Sequence, residues 1–465
     1  MSYYHSRKLK RSDISISFGR SLIHLFLIPY VSLITVFFLT STDFYMSNHQ
    51  MLPAAPIILA LGLPGAILLY VFCKDIVRDQ GKGLLSLYAF SKEAVLFYYI
   101  ISVMGILYCF HPGANVSIVN NGTLQALNLV FLLSFLSFGR IGSLQRYIRF
   151  IFIISLLAYF VTVILDVVYV DLFTRVTGRA AGFAVNPNTG AFTLVLLLIL
   201  SLDWNRLRVA DMLLCCITAI GVFVTFSRGG LVICSFTIAA YVCSAILKVR
   251  SGERLKHVVK LLVCSLLVYV SIAAGFALMG GSRFFSVFDG KERLENVLGF
   301  VQGQDDAVLQ DSRVYLAEQY YQHALKSPIF GYGTGYSDSQ PIGPHNLYLL
   351  LWSDYGIVGL LVVAYACFRL LSFFFRQKET RGVVFVLIFA IEGFFNDDIL
   401  MFRPFIISLA FLCIAAYYKA NPPQDLHEVV ERHAKKSTVY ASVLERWRSR
   451  TRPADSVEAL GSGKV

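Results

Sequence analysis

Residues 148–167 read IRFIFIISLLAYFVTVILDV, an apolar stretch whose two charged residues, Arg149 and Asp166, stand near its ends. A helix of about 20 apolar residues spans a bilayer, so this stretch predicts a transmembrane helix. The rest of the chain has the same character: of 465 residues, 56% are hydrophobic and 15% charged, and the mean hydropathy is +0.64. Soluble domains carry about 25% charged residues. The composition therefore excludes a soluble globular protein.

Similar stretches recur along the whole chain and predict an all-α polytopic membrane protein with about twelve transmembrane helices. Several are shorter than the ~20 residues that cross a bilayer, so we expect their ends to extend into flanking polar residues. The candidate spans are residues 22–39, 52–73, 94–110, 124–138, 148–167, 189–202, 209–225, 230–247, 258–279, 346–368, 383–395 and 404–418.

The basic residues indicate the orientation, because Lys and Arg concentrate in cytoplasmic loops. With both termini in the cytoplasm, all but nine of the 41 basic residues fall on the cytoplasmic side. The first span follows a basic segment and lacks a small-residue cleavage site, so we interpret it as a retained helix. The nine outer residues need another reason for their position. They are Arg175, Arg179, Arg228, Arg283, Lys291, Arg293, Arg313, Lys326 and Arg403.

One outer segment, residues 280–345, is long enough to suggest a function. Within it, Asp311 to Ser327 predicts a helix, since apolar residues recur at helical spacing and Pro328 follows. A turn-rich run then leads to His345 at the mouth of the tenth span. The predicted divisions are membrane helices at 1–279, a large periplasmic loop at 280–345, membrane helices at 346–418 and a cytoplasmic tail at 419–465.

The nine cysteines all fall within or at the ends of apolar stretches, with no CxxC and no Cys/His metal spacing. We interpret them as small core residues. The sequence therefore predicts neither a disulfide framework nor a metal site, and we expect no cofactor.

Two outer arginines are candidates for binding an anion. Arg313 falls in the first turn of the predicted outer helix, where free backbone N–H groups favour an anion, and a surface ion pair is the alternative. Arg228 lies in a short break between two spans, where a guanidinium is costly without a partner. Its alternative role is an anchor that extends to the membrane interface.

Other outer residues can bind sugar or accept a proton. Asn186 and Asn188 follow Arg179 at the entry to the sixth span, and their amides can hold sugar hydroxyls, although Asn-Pro is also an ordinary turn signal. His345 is the first candidate proton acceptor, because imidazole titrates near neutral pH. Alternative bases or counter-ions to the arginines are Glu392, Asp397 and Asp398.

Several of these stretches form an ordered set over residues 179–360. They are RAAGFAVNPN at 179–188, SRGG at 227–230, SR at 312–313, SPIFGYG at 327–333, HNLY at 345–348 and DYGIVG at 354–359. As a set, they resemble the bacterial O-antigen ligase and O-antigen polymerase superfamily. Family members often have Glu where this chain has Asp354, which keeps the charge on a shorter arm.

The resemblance implies metal-independent, inverting glycosyl transfer at the outer face of the bacterial inner membrane. The donor would be an undecaprenyl-diphosphate-linked glycan, and the acceptor another glycan or lipid A-core, in O-antigen or exopolysaccharide assembly. It implies that Arg228, Arg313 and His345 are the catalytic residues. The substrate-binding candidates are Arg179, Asn186, Asn188, Asn346 and Asp354.

The alternative function is a multi-span transporter or flippase of lipid-linked glycans, for which twelve spans are equally suitable. Transporters usually bind substrate near the membrane midplane, within repeated halves. Here the unexplained cations lie on the outer side and the long loop breaks any symmetry, so we favour an enzyme. The sequence does not separate a polymerase from a ligase, and the polymerase is our first hypothesis. Other polysaccharide assembly proteins are expected partners, and nucleic acid is not.

Overall fold

The computed structural model describes residues 28–49, 51, 88–138, 144–169, 172–176, 178–248 and 312–420. The predicted spans at 52–73 and 258–279, most of the 280–345 segment and the tail beyond residue 420 lie outside these residues. The described helices are α1 (Ile28–Leu39), α2 (Thr42–Asn48), α3 (Lys92–Leu107), α4 (Ile118–Phe138), α5 (Leu144–Val168), α6 (Pro187–Ser201), α7 (Val209–Val224), α8 (Arg228–Leu247), α9 (Ser312–Lys326), α10 (Leu347–Arg376), α11 (Thr380–Glu392) and α12 (Arg403–Ala420). Short 3-10 helices lie at Tyr108–Phe110, Gly182–Ala184, Ser337–Ser339 and Asp398–Met401.

The described part of the chain contains helices and no β-strand, as the sequence predicts. Six helices there are long and apolar enough to cross a membrane, namely α3, α4, α5, α8, α10 and α12. Helices α1 and α2 meet at an angle of 58° and together form a seventh candidate, whereas α6 and α7 are shorter apolar helices. The chain is therefore a multi-pass membrane protein, and the count of twelve spans remains a prediction.

Helix α6 begins where the sequence places an Asn-Pro-Asn signal. The Asn186 side chain caps the helix by accepting a hydrogen bond from the Asn188 N–H at 3.0 Å. Pro187 suits the first turn, because its missing N–H is not needed there. The helix is apolar on all sides and almost wholly buried, as expected of a helix at the centre of a bundle.

Helix α12 supplies much of the aromatic core. Phe405 packs on Phe385 and Phe389 of α11, with ring centroids 4.7 and 4.9 Å apart. One and a half turns later, Phe411 packs on Phe152 of α5 at 5.0 Å. These contacts explain why α12 is the most buried of the six span candidates.

Polar contacts tie together the helix ends that the charge pattern assigns to the cytoplasm. Arg149 of α5 pairs with Asp211 of α7 and donates to the Ser201 carbonyl at the end of α6. Lys248, after α8, donates to the Trp204 carbonyl in the α6–α7 loop at 3.0 Å. The helix ends joined by these contacts therefore lie at one end of the bundle.

Helix α10 is broken at Gly356, which has φ 67° and ψ −164°. This conformation is essentially restricted to glycine. The segment that follows α9 packs into the break: the Ile357 N–H donates to the Pro328 carbonyl at 2.9 Å, and the Tyr332 N–H donates to the Ser353 carbonyl at 2.9 Å. Backbone groups that the break would leave unpaired inside the protein are thereby satisfied.

Candidate functional site

Arg228 is the first residue of α8 and is exposed. The helix start is capped by Ser227, whose Oγ accepts a hydrogen bond from the Gly230 N–H at 3.1 Å. The turn before it requires Phe226 at φ 50°, an unusual conformation for a residue other than glycine. Arg228 thus extends from the N-terminal end of a helix, where the dipole favours an anion.

Arg179 holds this turn in place. It is 9% exposed, and its Nε donates to the Thr225 carbonyl at 3.0 Å. Its Nη2 donates to the Phe226 carbonyl at 3.2 Å and to Asn188 Oδ1 at 3.0 Å. The guanidinium therefore joins the entry of α6 to the carbonyl groups that precede Arg228. The sequence predicted a substrate ligand, whereas these contacts favour a supporting role.

The loop of residues 393–397 lies between the Arg228 turn and His345. Phe395 packs against Gly229 so closely that a Cβ at residue 229 would lie 2.5 Å from the Phe395 ring. On the other side, the Asp397 carboxylate accepts a hydrogen bond from the His345 backbone N–H at 3.0 Å. One short loop therefore brings Arg228 and His345 to the same end of the helical bundle.

His345 is exposed, and its backbone has φ 49°. Such a conformation in a residue other than glycine persists only where the surroundings enforce it. Here the Asp397 contact fixes the residue on one side. On the other, Asn346 caps α10 by accepting hydrogen bonds from the Tyr348 and Leu349 N–H groups at 2.9 and 3.1 Å. His345 is therefore an exposed residue on a rigidly held backbone at the start of α10.

Asp354 is buried in α10 and binds residues 331–337, which include Gly331, Gly333 and Gly335 and are called the glycine-rich loop below. Its Oδ1 accepts hydrogen bonds from the Ser337 N–H at 3.0 Å and the Ser337 hydroxyl at 2.5 Å, and its Oδ2 accepts one from the Gly335 N–H at 3.1 Å. The shorter arm of aspartate is sufficient for these contacts. They favour a structural role for Asp354 rather than direct contact with substrate.

The predicted outer helix is present as α9, with Arg313 in its first turn. The side chain of Arg313 lies outside the described part of the structure. Helix α9 packs along α10, and its Tyr320 hydroxyl donates to the Ile342 carbonyl at 2.8 Å. Helix α9 is thereby connected to the segment that directly precedes His345.

The predicted amide ligands also have contacts within the chain. Asn186 and Asn346 act as helix caps, and Asn188 accepts the hydrogen bond from Arg179. Helix caps of this kind stabilise a helix by about 1 kcal/mol. Like the contacts of Arg179 and Asp354, these contacts favour a structural role in which the asparagines position the site. Direct binding of sugar by them stays a prediction.

Asp397, which accepts the hydrogen bond from the His345 N–H, interacts electrostatically with two further carboxyl groups, those of Asp338 and Asp398. The pKa of Asp398 is raised to about 6, chiefly by loss of contact with water and to a smaller extent by the charges of Asp397 and Asp338. Burial also raises the pKa of Asp338 above its ordinary value, and Asp397 adds to this shift. A carboxyl group whose pKa lies near neutrality is suited to proton transfer. Asp398 is therefore a second candidate base, while Glu392 is fully buried at the end of α11.

Two other basic residues that the charge pattern assigns to the outer side contact the chain itself. Arg403 pairs with Asp43 of α2, and Arg175 donates to the Asn48 carbonyl at 3.3 Å. Structural contacts thus account for these two exceptions to the charge pattern. Arg283, Lys291 and Arg293 lie outside the described residues. Across the described ranges, His, Cys, Asp and Glu form no group of three or more that could hold a metal ion.

The sequence analysis missed three residues that shape this region. Asp166, 1% exposed, accepts hydrogen bonds from the Ala181 and Phe173 N–H groups, both at 2.8 Å, and so anchors the loop that carries Arg179. Gly356 allows the break in α10. Phe395 packs against Gly229 and so connects the Arg228 turn to the loop that contacts His345. An aspartate within an apolar span was the one available signal for Asp166, since a buried charge in a membrane helix needs partners.

Comparison with known protein families gives a match over part of the chain. A family model described as O-antigen ligase matches residues 213–364, which begin within α7 and end within α10. The matched region contains Arg228, Arg313, His345 and Asp354. No curated protein matches the chain. The match over residues 213–364 confirms the resemblance of this chain to the O-antigen ligase and O-antigen polymerase superfamily.

Proposed function

We propose that the chain is an inner-membrane glycosyltransferase that transfers an undecaprenyl-diphosphate-linked glycan to an acceptor hydroxyl on the periplasmic side. An O-antigen ligase domain implies a glycosyltransferase-like enzyme in general. The observation that supports this specific reaction is the pairing of an exposed arginine, Arg228, with an exposed histidine, His345, on either side of one loop. The first provides a cation for a diphosphate, and the second provides a base.

In the proposed reaction, the acceptor oxygen attacks the anomeric carbon of the donor sugar. The bond from that carbon to the diphosphate oxygen breaks, and its electron pair leaves with the lipid diphosphate. Arg228 and Arg313 stabilise the charge that develops there, since cations held at the point where negative charge develops lower the energy of the transition state. His345 takes the proton of the acceptor hydroxyl. A single displacement of this kind inverts the anomeric centre.

The supporting residues keep these groups in place. Arg179 and Asn188 fix the turn that leads to Arg228, whereas Asn346 and Asp354 fix the entry of α10 and the glycine-rich loop. Holding reacting groups in position contributes to catalysis, because the groups lose their translational and rotational freedom before the reaction rather than during it. We propose that these residues position the site rather than contact the leaving group.

Alanine variants test the roles of the arginines. Loss of one charge-assisted contact in the transition state costs about 3 kcal/mol, or roughly a hundredfold in rate. We expect Arg228→Ala and Arg313→Ala to lose glycan transfer by at least this factor while the protein still enters the membrane. Arg175→Ala is the matched control, because Arg175 is another outer arginine but donates to the Asn48 carbonyl. Near-normal transfer by both test variants would contradict this assignment and would indicate that Arg228 and Arg313 are anchors at the membrane interface.

The surface glycan of a deletion strain distinguishes the acceptors. A polymerase, our first hypothesis, leaves glycan of a single repeat, whereas a ligase leaves long chains that are not attached to lipid A-core. Loss of a flippase, the alternative function, leaves undecorated lipid A-core and donor in the cytoplasm. The third result would contradict the proposal.

The proposed orientation has its own test. We propose that residues 280–345 face the periplasm and that the tail from residue 419 faces the cytoplasm, because basic residues concentrate on the side of the tail. Reporter fusions at Gln304 and Ser456 should report opposite sides. A cytoplasmic signal at Gln304 would contradict the site described above.

A further inference from the structure

A cavity lies at the other end of the bundle from His345. It has a volume of about 790 Å³ and is lined by residues of α3, α10 and α11. Its polar wall carries Lys92, Arg369 and Arg376, together with one carboxylate, Glu93. Lys92 begins α3 and Arg376 ends α10, so this wall lies at the level where helices leave the membrane.

The cations of this cavity exceed the single carboxylate. Glu93 is 3% exposed; its Oε2 lies 2.9 Å from Arg369 Nη2 and its Oε1 lies 4.0 Å from Arg376 Nη2. The side chains of Arg369 and Arg376 nonetheless remain 34% and 66% exposed, and Lys92 is exposed as well. The cavity therefore keeps a net positive charge that water or a ligand can reach.

Apolar surface adjoins this charge, and its residues Phe368 and Leu387 lie about two turns inward from the ends of α10 and α11 at which the charge is found. Phe368 and Phe375 of α10 are 63% and 75% exposed and lie among the lining residues. Val383 and Leu387 of α11 continue the lining. A groove with cations at the helix ends and apolar side chains beyond them matches the two parts of a lipid, since basic pockets between transmembrane helices bind anionic head groups.

We propose that this cavity binds an anionic phospholipid, with the phosphate held by Lys92, Arg369 and Arg376 and the acyl chains along Phe368 and Leu387. Charge complementarity selects the head group, and position at the helix ends selects a membrane lipid as the source of the phosphate. The site is separate from the proposed transfer reaction. Its failure would therefore leave the proposed function unaffected, and the reverse is also true.

Native mass spectrometry of the purified full chain in detergent, titrated with phosphatidylglycerol or phosphatidylcholine, tests the proposal. We expect one phosphatidylglycerol to bind in preference to phosphatidylcholine. Each basic residue near an anionic surface strengthens binding by about fivefold. Lys92→Gln should therefore weaken phosphatidylglycerol binding by about this factor, and the double variant with Arg376→Gln by at least tenfold. Lys92→Gln leaves both pairs of Glu93 intact, so it remains informative if the double variant does not fold.

The matched control is Arg206→Gln, because Arg206 is also exposed and lies in the α6–α7 loop, away from this cavity. It should retain the affinity of the unmodified chain. Equal binding of the two lipids, or equal losses in Arg206→Gln and Lys92→Gln, would overturn the proposal.

Discussion

A Gly356→Ala substitution would test the packing of the outer segment into the broken helix. A Cβ at residue 356 would overlap the Ile329 carbonyl group and would lie 2.5 Å from the Phe330 nitrogen. These neighbours are backbone atoms, so they can move only if the whole segment moves. The backbone of Gly356 also has a conformation that costs other residues about 1–3 kcal/mol.

The magnitude follows from the bonds that such a movement breaks. The hydrogen bonds from the Ile357 N–H to Pro328 and from the Tyr332 N–H to Ser353, both 2.9 Å long, connect this segment to α10. At about 1 kcal/mol each, their loss adds to the strain. We therefore expect Gly356→Ala to lower the free energy of unfolding by about 3–5 kcal/mol.

Titration of the purified protein with a denaturing detergent measures this loss. The matched control is Gly122→Ala in α4, where an added Cβ meets nothing within 4 Å. Since alanine favours a helix over glycine by about 0.5–1 kcal/mol, the control should be neutral or slightly more stable. If Gly356→Ala were as stable as Gly122→Ala, the described break in α10 would be wrong.

Three further predictions concern the site. Arg179→Lys should lower the free energy of unfolding by about 2–4 kcal/mol and reduce transfer, because lysine cannot make the three hydrogen bonds of the guanidinium. Arg175→Lys is the control in the same detergent titration, and equal stability of the two variants would contradict this prediction. Asp398→Asn should become more stable relative to the unmodified chain as the pH rises from about 4 to about 7, because a carboxyl group with a raised pKa destabilises the folded protein when it ionises; parallel stability curves would refute this. His345→Ala should lose most transfer activity while still binding donor, because removing the acceptor proton and holding the diphosphate are separate tasks. If instead Asp398→Asn loses transfer and His345→Ala keeps it, Asp398 is the base.

The sequence predicts the helical fold well because apolar stretches and capping residues are local signals. The start of α6 at Asn186, the helix that carries Arg313 and the entry of α10 at Asn346 all follow from a few neighbouring residues. The spans outside the described residues, and hence the total of twelve, remain predictions.

The roles of individual polar residues are harder to predict, because they depend on partners far along the chain. Arg179 contacts carbonyl groups 46 and 47 residues away, and Asp397 contacts His345 across 52 residues. Without those distances, an arginine that supports a turn is indistinguishable from one that binds a diphosphate. The break at Gly356 is likewise hidden, because a glycine within an apolar span fits an unbroken helix equally well in sequence.

The most direct test of the proposed function is the release of undecaprenyl diphosphate by the purified chain. The measurement supplies a lipid-linked glycan donor with a labelled lipid, with and without a glycan acceptor, and compares the unmodified chain with Arg228→Ala. We predict release that depends on the acceptor and that falls at least a hundredfold in Arg228→Ala, with the glycan recovered on the acceptor. No release by the unmodified chain in the presence of donor and acceptor, together with movement of intact donor across a vesicle membrane, would contradict the enzyme and favour the flippase.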